Sequence, residues 1–300
     1  MSKTCLIISG PTAVGKTSLA LEAARYFDTE IISADSRQCF KELNIGVAKP
    51  STEELLSVRH HFINSHSIHE EVNAAAFEQY ALQAIATIFQ QKDIAILTGG
   101  TGLYIKAFCE GIDDIPPIQA GIREQIMVNF EKSGLAWLQQ EVKEKDPLYY
   151  STGEIHNPQR LVRALEVVLS TGKSIRTFQQ GKKTARNFQI IKTALELPKE
   201  ELQRNINQRV DDMMQQGLLQ EVNNLSPWRH LNAMQTVGYS EIYEHLDGKI
   251  TIEEAVELIK RNTRQYAKRQ MTWFRRDNDI QWFSPQDKNA LLDHCQALRR

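Results

Sequence analysis

The sequence predicts an α/β fold: a parallel sheet flanked by helices, with a helical subdomain inserted into it. Three observations predict it. Short, nearly continuous apolar runs alternate with helix-period segments over the first hundred or so positions. A glycine-rich loop joins the first such run to the first helix. From 114 to 187 the chain keeps helical periodicity but offers no run that reads as a strand. The 300 residues are 41% hydrophobic and 24% charged, which suits one or two globular domains and excludes disordered or collagen-like chains.

The expected strands are 5–9, 30–33, 93–98 and 188–195. Each is apolar, short and bounded by turn residues, as in a sheet covered on both faces. The expected helices are 17–27, 74–91, 121–144, 158–170, 199–216 and 252–276. The core is therefore 1–113 with 188–300, and the insertion is 114–187. Asp113, Asp114, Pro116 and Pro117 read as a hinge or an ordinary turn. Cys5, Cys39, Cys109 and Cys295 are scattered and form no CxxC pair, which argues against a zinc ribbon or a disulfide framework. No apolar run reaches membrane-spanning length, so the expectation is a cytoplasmic protein in a reducing compartment.

Gly10-Pro11-Thr12-Ala13-Val14-Gly15-Lys16-Thr17 matches GxxxxGK[ST], with a strand before it and an amphipathic helix after it. Backbone N–H groups in such a loop curl around phosphate oxygens, and the helix N-terminus adds partial positive charge. Lys16 supplies a mobile cation, and the Thr17 hydroxyl is the expected ligand of Mg²⁺. The core is thus P-loop NTPase-like. The motif specifies a phosphate site, not a reaction. The strand at 93–98 runs into Thr-Gly-Gly rather than an acidic residue; the strand at 30–33 leads to Asp35. Ligands collect at the carboxyl ends of parallel strands, so Asp35, Ser36, Gln38 and Thr101 should gather near Lys16. Asp35 could be a general base, a metal ligand or a turn residue.

The net charge of −1 hides segregation. Between 155 and 192 stand eight Lys/Arg and one acid, Glu166; between 260 and 276 stand seven Lys/Arg and no acid. On a helical wheel Arg261, Arg264, Lys268, Thr272 and Arg275 share one face, with Ile259, Tyr266, Trp273 and Phe274 opposite. A cationic stripe on a neutral protein suits a polyanion, unless acids from elsewhere cover it. His60, His61, His66 and His69 lack metal-ligand spacing and read as a loop start near the strand tips. Tyr149 and Tyr150 read as core aromatics rather than base-stacking groups.

Together these motifs resemble the tRNA dimethylallyltransferase (tRNA isopentenyltransferase) family over nearly the whole chain. The matching blocks are GPTAVGKTSLALEAA from Gly10, DSRQCF from Asp35, IGVAKP from Ile45, HHFIN from His60 and LTGGTGLYIKA from Leu97. They continue with NPQRLVRALEVVLSTGKS from Asn157, NQRVDDMMQQGLLQEV from Asn207, VGYSEI from Val237 and TRQYAKRQMTWFRR from Thr263. The resemblance implies transfer of a dimethylallyl group from dimethylallyl diphosphate to N6 of the adenosine 3′-adjacent to a tRNA anticodon, with Mg²⁺ assisting. Lys16 and, by resemblance only, Arg209 would hold the diphosphate. Asp35 would take the proton, and Thr101 would orient the acceptor or the diphosphate. Ser36 and Gln38 would hydrogen-bond the target base, which must leave its stack to react, and Arg37 would contact tRNA beside the acceptor site. The family blocks point to Gln159, Arg160, Leu161, Val162, Arg163, Arg275 and Arg276 as tRNA contacts, and position adds Arg123. A channel between core and insertion would admit the base from one end and the donor from the other. The expected partners are the tRNA anticodon stem-loop and dimethylallyl diphosphate, with no membrane, and the expected state is a monomer.

Departures from the family pattern are Arg37 and Phe40 in DSRQCF, Val47 in IGVAKP, Asn64 in HHFIN and Ser240 where a Lys is common. Two rival enzymes share the phosphate loop: a transferase acting on free adenine nucleotide, and a small-metabolite kinase. The first has no use for the cationic stripe or the NPQR block. A third rival is a non-enzymatic RNA-binding protein, in which Asp35 would be idle.

Overall fold

The computed structural model describes residues 3–181 and 183–298. The chain divides into two compact units, Met1–Glu110 with Ala185–Arg300, and Gly111–Thr184. These boundaries fall three residues before the expected 114 and 187.

The first unit opens with β1 (Thr4–Ser9), α1 (Lys16–Tyr26), β2 (Ile31–Ser33) and α2 (Thr52–Ser57). It continues with β3 (His60–His61), α3 (Ala74–Ile88), β4 (Ile94–Gly99) and α4 (Gly102–Glu110). The second unit holds α5 (Ile122–Lys145), α6 (Pro147–Thr152), α7 (Pro158–Thr171) and α8 (Ile175–Phe178). The chain then completes the first unit with β5 (Gln189–Leu195), α9 (Lys199–Gln215), α10 (Leu218–Asn224) and α11 (Tyr239–Leu246). Last come α12 (Ile252–Phe274), β6 (Gln281–Phe283) and α13 (Lys288–Leu298).

The sheet order is β3-β2-β4-β1-β5-β6, and every pairing is parallel. β1 is central and wholly buried. Its side chains alternate as strand pleating requires. Cys5 and Ile7 enter the cluster with Phe77, Phe108 and Ile259 from α3, α4 and α12. Leu6 and Ile8 enter the opposite cluster with Leu19 and Ala23 of α1 and Leu291 of α13. Each fully buried Ile or Leu contributes roughly 1.5–3 kcal/mol. β1 and β4 stay in register from Thr4↔Ile94 to Ser9↔Gly99, so both strands end at the same level. That edge carries the site.

The structure corrects the sequence reading in several places. His60 and His61 form an edge strand, held by Ile31↔His60 and Ile32↔His61, not a loop. β6 was also missed; three residues carry too little periodicity to register. The expected 121–144 helix is interrupted at Gly134, whose φ of 71° and ψ of −168° are not helical.

The second unit has its own apolar core around Ile126, Leu138, Val142, Tyr149, Leu161, Leu165 and Val167. The start of α7 follows from sequence: Asn157 caps the Arg160 amide, and Pro158 occupies the first helical turn, where its missing N–H costs nothing. Part of the NPQR block is therefore a helix-start signal.

Candidate active site

A cavity of about 580 Å³ lies at the carboxyl ends of β1, β2 and β4. Thr12, Ala13, Gly15, Lys16 and Thr17 line it from the loop after β1. Asp35, Ser36, Arg37 and Gln38 line it from the loop after β2, and Gly99 and Gly100 from the end of β4. Arg209 reaches it from α9; Tyr266, Arg269 and Gln270 reach it from α12. Gly46, Val47 and Ala48 form a further wall. Gly10, Pro11 and Val14 shape the phosphate loop without lining the cavity.

The loop takes the shape its motif requires. Gly15 caps α1 at φ 97°, and Ala13 stands at φ 64°, a left-handed conformation that non-glycine residues seldom adopt. The Lys16 ammonium donates to the Pro11 carbonyl at 2.6 Å. Burial, and next the Arg209 guanidinium, push its pKa down to about 7, with Asp35 opposing. Burial lowers Arg209 as well, against Asp212 and Asp35. Arg209 donates to the Thr12 hydroxyl at 3.3 Å. Two cations thus share one desolvated space and, among the described residues, have no carboxylate bonded to them, which is the state an anion would relieve.

Asp35 Oδ1 accepts from the amides of Arg37 (2.8 Å) and Gln38 (3.2 Å), which fixes the carboxylate and, among the described residues, leaves Oδ2 open. Thr101 stands behind the lining, its hydroxyl accepting from the Ser36 amide at 3.1 Å. Gln38 differs from expectation. Its amide nitrogen donates to the carbonyls of Val47 (3.2 Å) and Ala48 (3.0 Å), and its oxygen accepts from the Ser33 hydroxyl at 3.2 Å. One lone pair on Oε1 is all that remains for a base. The Arg37 guanidinium donates to the Gln235 carbonyl at 3.4 Å.

The Gly46–Ala48 wall is held by one carboxylate. Glu221 of α10 accepts from the amides of Asn44 (3.2 Å), Ile45 (2.8 Å) and Gly46 (3.0 Å), and from the Tyr239 hydroxyl at 2.5 Å. Lys49, just beyond, donates to the Phe40 carbonyl and to Asn64 Oδ1; burial lowers its pKa to about 8.

The Thr17 hydroxyl lines the cavity and has no protein partner among the described residues. It is a hard oxygen donor, which fits magnesium held mainly by phosphate and water. The histidines form no metal site: among the described residues no group of three His, Cys, Asp or Glu is arranged to hold one. His60 lines the cavity, and its Nδ1 donates to the Val58 carbonyl at 2.8 Å. Burial lowers its pKa.

The remaining expected contacts divide. Arg275 and Arg276 are exposed at the end of α12. Gln159 and Arg160 are exposed on α7. Leu161 and Val162 are 0% and 3% exposed, so their side chains are core and cannot touch RNA. Arg123 and Arg163 both pair with Glu166, at 2.5 and 3.2 Å. Glu166, the one acid of its segment, is itself buried.

The cationic face of α12 is also partly countered from elsewhere. Lys260 meets Asp211 at 2.8 Å, and Arg275 lies 3.5 Å from Glu196. Arg264 is half-buried and donates to Asn207. Arg261, Lys268 and Thr272 are exposed as the wheel required. Tyr266 is not simply core, because its ring side of α12 opens into the cavity. Burial, then Asp35, raises its pKa to about 12. Gln270 was not singled out at all. A lone polar residue four positions after Tyr266, on the same helical face, was the available signal.

Known proteins resemble this chain along most of its length. The family model described as IPP transferase matches residues 38–277. A tRNA dimethylallyltransferase of Christiangramia forsetii is 46% identical over 99% of both chains. One of Cytophaga hutchinsonii is 45% identical over 99% of this chain and 98% of its own. Among solved structures, the tRNA isopentenylpyrophosphate transferase of Bacillus halodurans superposes with a TM-score of 0.70 at 32% identity, covering 99% of both chains. A eukaryotic dimethylallyltransferase acting on tRNA gives 0.78 at 28% identity, over 95% of this chain and 75% of that one. A phosphate cradle facing a fixed carboxylate across one cavity, on a chain matched along its length by these enzymes, places the protein in the IPP transferase family.

Proposed function

We propose that this enzyme prenylates tRNA, moving a dimethylallyl group from dimethylallyl diphosphate to N6 of the adenosine 3′-adjacent to the anticodon. The observation that carries the reading is that Lys16 and Arg209 share one cavity with Asp35. Two desolvated cations suit a diphosphate leaving group, and a carboxylate held by two backbone amides suits a base.

The N6 lone pair attacks C1 of the allylic group, the C1–O bond breaks, and its electron pair leaves with the diphosphate. One N6 proton passes to Asp35 Oδ2. Lys16, Arg209 and the amides of Ala13 to Thr17 stabilise the departing charge. When bound at Thr17, magnesium supplies further neutralisation of that charge. The remaining lone pair on Gln38 Oε1 suits the second N6 proton. Because two carbonyls pin its amide nitrogen, Gln38 cannot flip to present a donor. Exposed Arg160, Arg275 and Arg276, with the paired Arg123 and Arg163, suit the RNA backbone.

Among the described residues no helix is long and apolar enough to cross a membrane. Cysteines scattered without a pairing pattern suit a cytoplasmic setting. We take the working form to be a monomer.

The test is incubation with Mg²⁺, labelled dimethylallyl diphosphate and either tRNA or AMP. Label in tRNA supports the reading. Label only in AMP, or none from folded protein, refutes it.

A further inference from the structure

Beyond Ser9 and Gly99 the β1–β4 ladder ends, and the two loops take up different tasks. One forms the phosphate cradle; the other carries Gly100 and Thr101 beside the acceptor loop. Among the described residues no further ladder bond between them continues the register. A side chain from α12 does so instead. Gln270 Oε1 accepts from the Thr12 amide at 2.9 Å, and its Nε2 donates to the Gly100 carbonyl at 2.9 Å. The side chain is only 6% exposed.

Its orientation is unambiguous. An amide N–H must face an acceptor and a carbonyl a donor, so turning the group over would lose both bonds. Gly100 permits the approach, since a Cβ there would collide with Nε2. The bond to Thr12 also removes that N–H from the phosphate cradle, leaving those that follow it.

We propose that Gln270 is a positioning residue that sets the spacing between the donor-phosphate loop and the acceptor loop. The proposal rests on the prenyl-transfer reading above. Both ends of the Gln270 amide are committed to the two loops. It fixes how far C1 of the donor stands from N6 of the acceptor. Reactions between two bound partners are steep in that distance, so losing the link should slow chemistry more than it weakens binding.

The test compares wild type with Gln270→Met, which keeps length and volume but loses both bonds, and with Gln270→Ala. The expected result for Gln270→Met is a single-turnover prenyl-transfer rate about 10²-fold lower. The dissociation constants of inorganic pyrophosphate and of tRNA stay within about threefold, since uniform binding is untouched. Hydrogen exchange at the Thr12 amide becomes at least about tenfold faster, because its acceptor is gone. A single-turnover rate within about threefold of wild type, or a loss carried wholly by the two dissociation constants, overturns the proposal. So does equal Thr12 exchange in wild type and Gln270→Met. If wild type itself transfers no prenyl group, the reaction reading fails, and the exchange measurement still decides the link.

Discussion

Lys16 should pick up a proton when the site is filled. In the free site its pKa is about 7, because burial and Arg209 oppose the ammonium more than Asp35 favours it. A bound diphosphate reverses that balance by placing negative charge beside Nζ. At pH 8 the free site is then only about one-tenth ammonium, so binding takes up about 0.9 proton. Above pH 7 this group alone weakens binding about tenfold per pH unit, and below pH 7 its contribution is flat. The assay is calorimetric titration with inorganic pyrophosphate in two buffers of different ionisation enthalpy, which yields the proton count. Lys16→Arg is the reference: its guanidinium is charged throughout, so it retains only the ligand's own protonation. A wild-type excess below about 0.2 proton at pH 8 would mean that Lys16 is already charged in the free site, and the argument from desolvation would fail.

Asp35→Ala should lower turnover by about 10²–10⁴-fold while tRNA affinity, measured by filter binding, is kept; normal turnover would remove Asp35 from the base role. Neutralising Arg275 and Arg276 together should weaken tRNA binding and reduce its salt slope by about one to two units, whereas an unchanged slope would contradict a role in gripping phosphate. Glu221→Ala should cost about 3–5 kcal/mol in urea denaturation, since it strands three backbone amides and the Tyr239 hydroxyl. A cost under about 1 kcal/mol would show that water replaces the carboxylate.

The groups to which we assign chemistry were legible because they are local. The phosphate loop needs its glycines, lysine and threonine in one octapeptide, and Asp35 follows directly from its strand. What escaped is what other elements supply. Glu221 meets the Asn44–Gly46 amides across more than 170 positions, and Gln270 meets Thr12 across 258. No periodicity encodes such pairs. The count of charges along 155–192 and 260–276 was right, but Asp211 and Glu196 enter from outside, and Glu166, already in the count, pairs with Arg123 and Arg163 from a buried position. Leu161 and Val162 were misread for the opposite reason. They share a block with Arg160 and Arg163, yet helical geometry turns them inward to the core.

The Glu221 knot has a consequence for inheritance. Any side chain at position 46 would meet the Tyr239 ring, and that ring's hydroxyl is committed to Glu221. The three positions therefore form a lock that mutation cannot pick one tumbler at a time. A descendant with alanine at 46 must already have surrendered the ring at 239. A descendant without the carboxylate at 221 must find three new acceptors for the loop. Drift can rewrite the surface around this cavity freely, but here it has to move in concert or not at all.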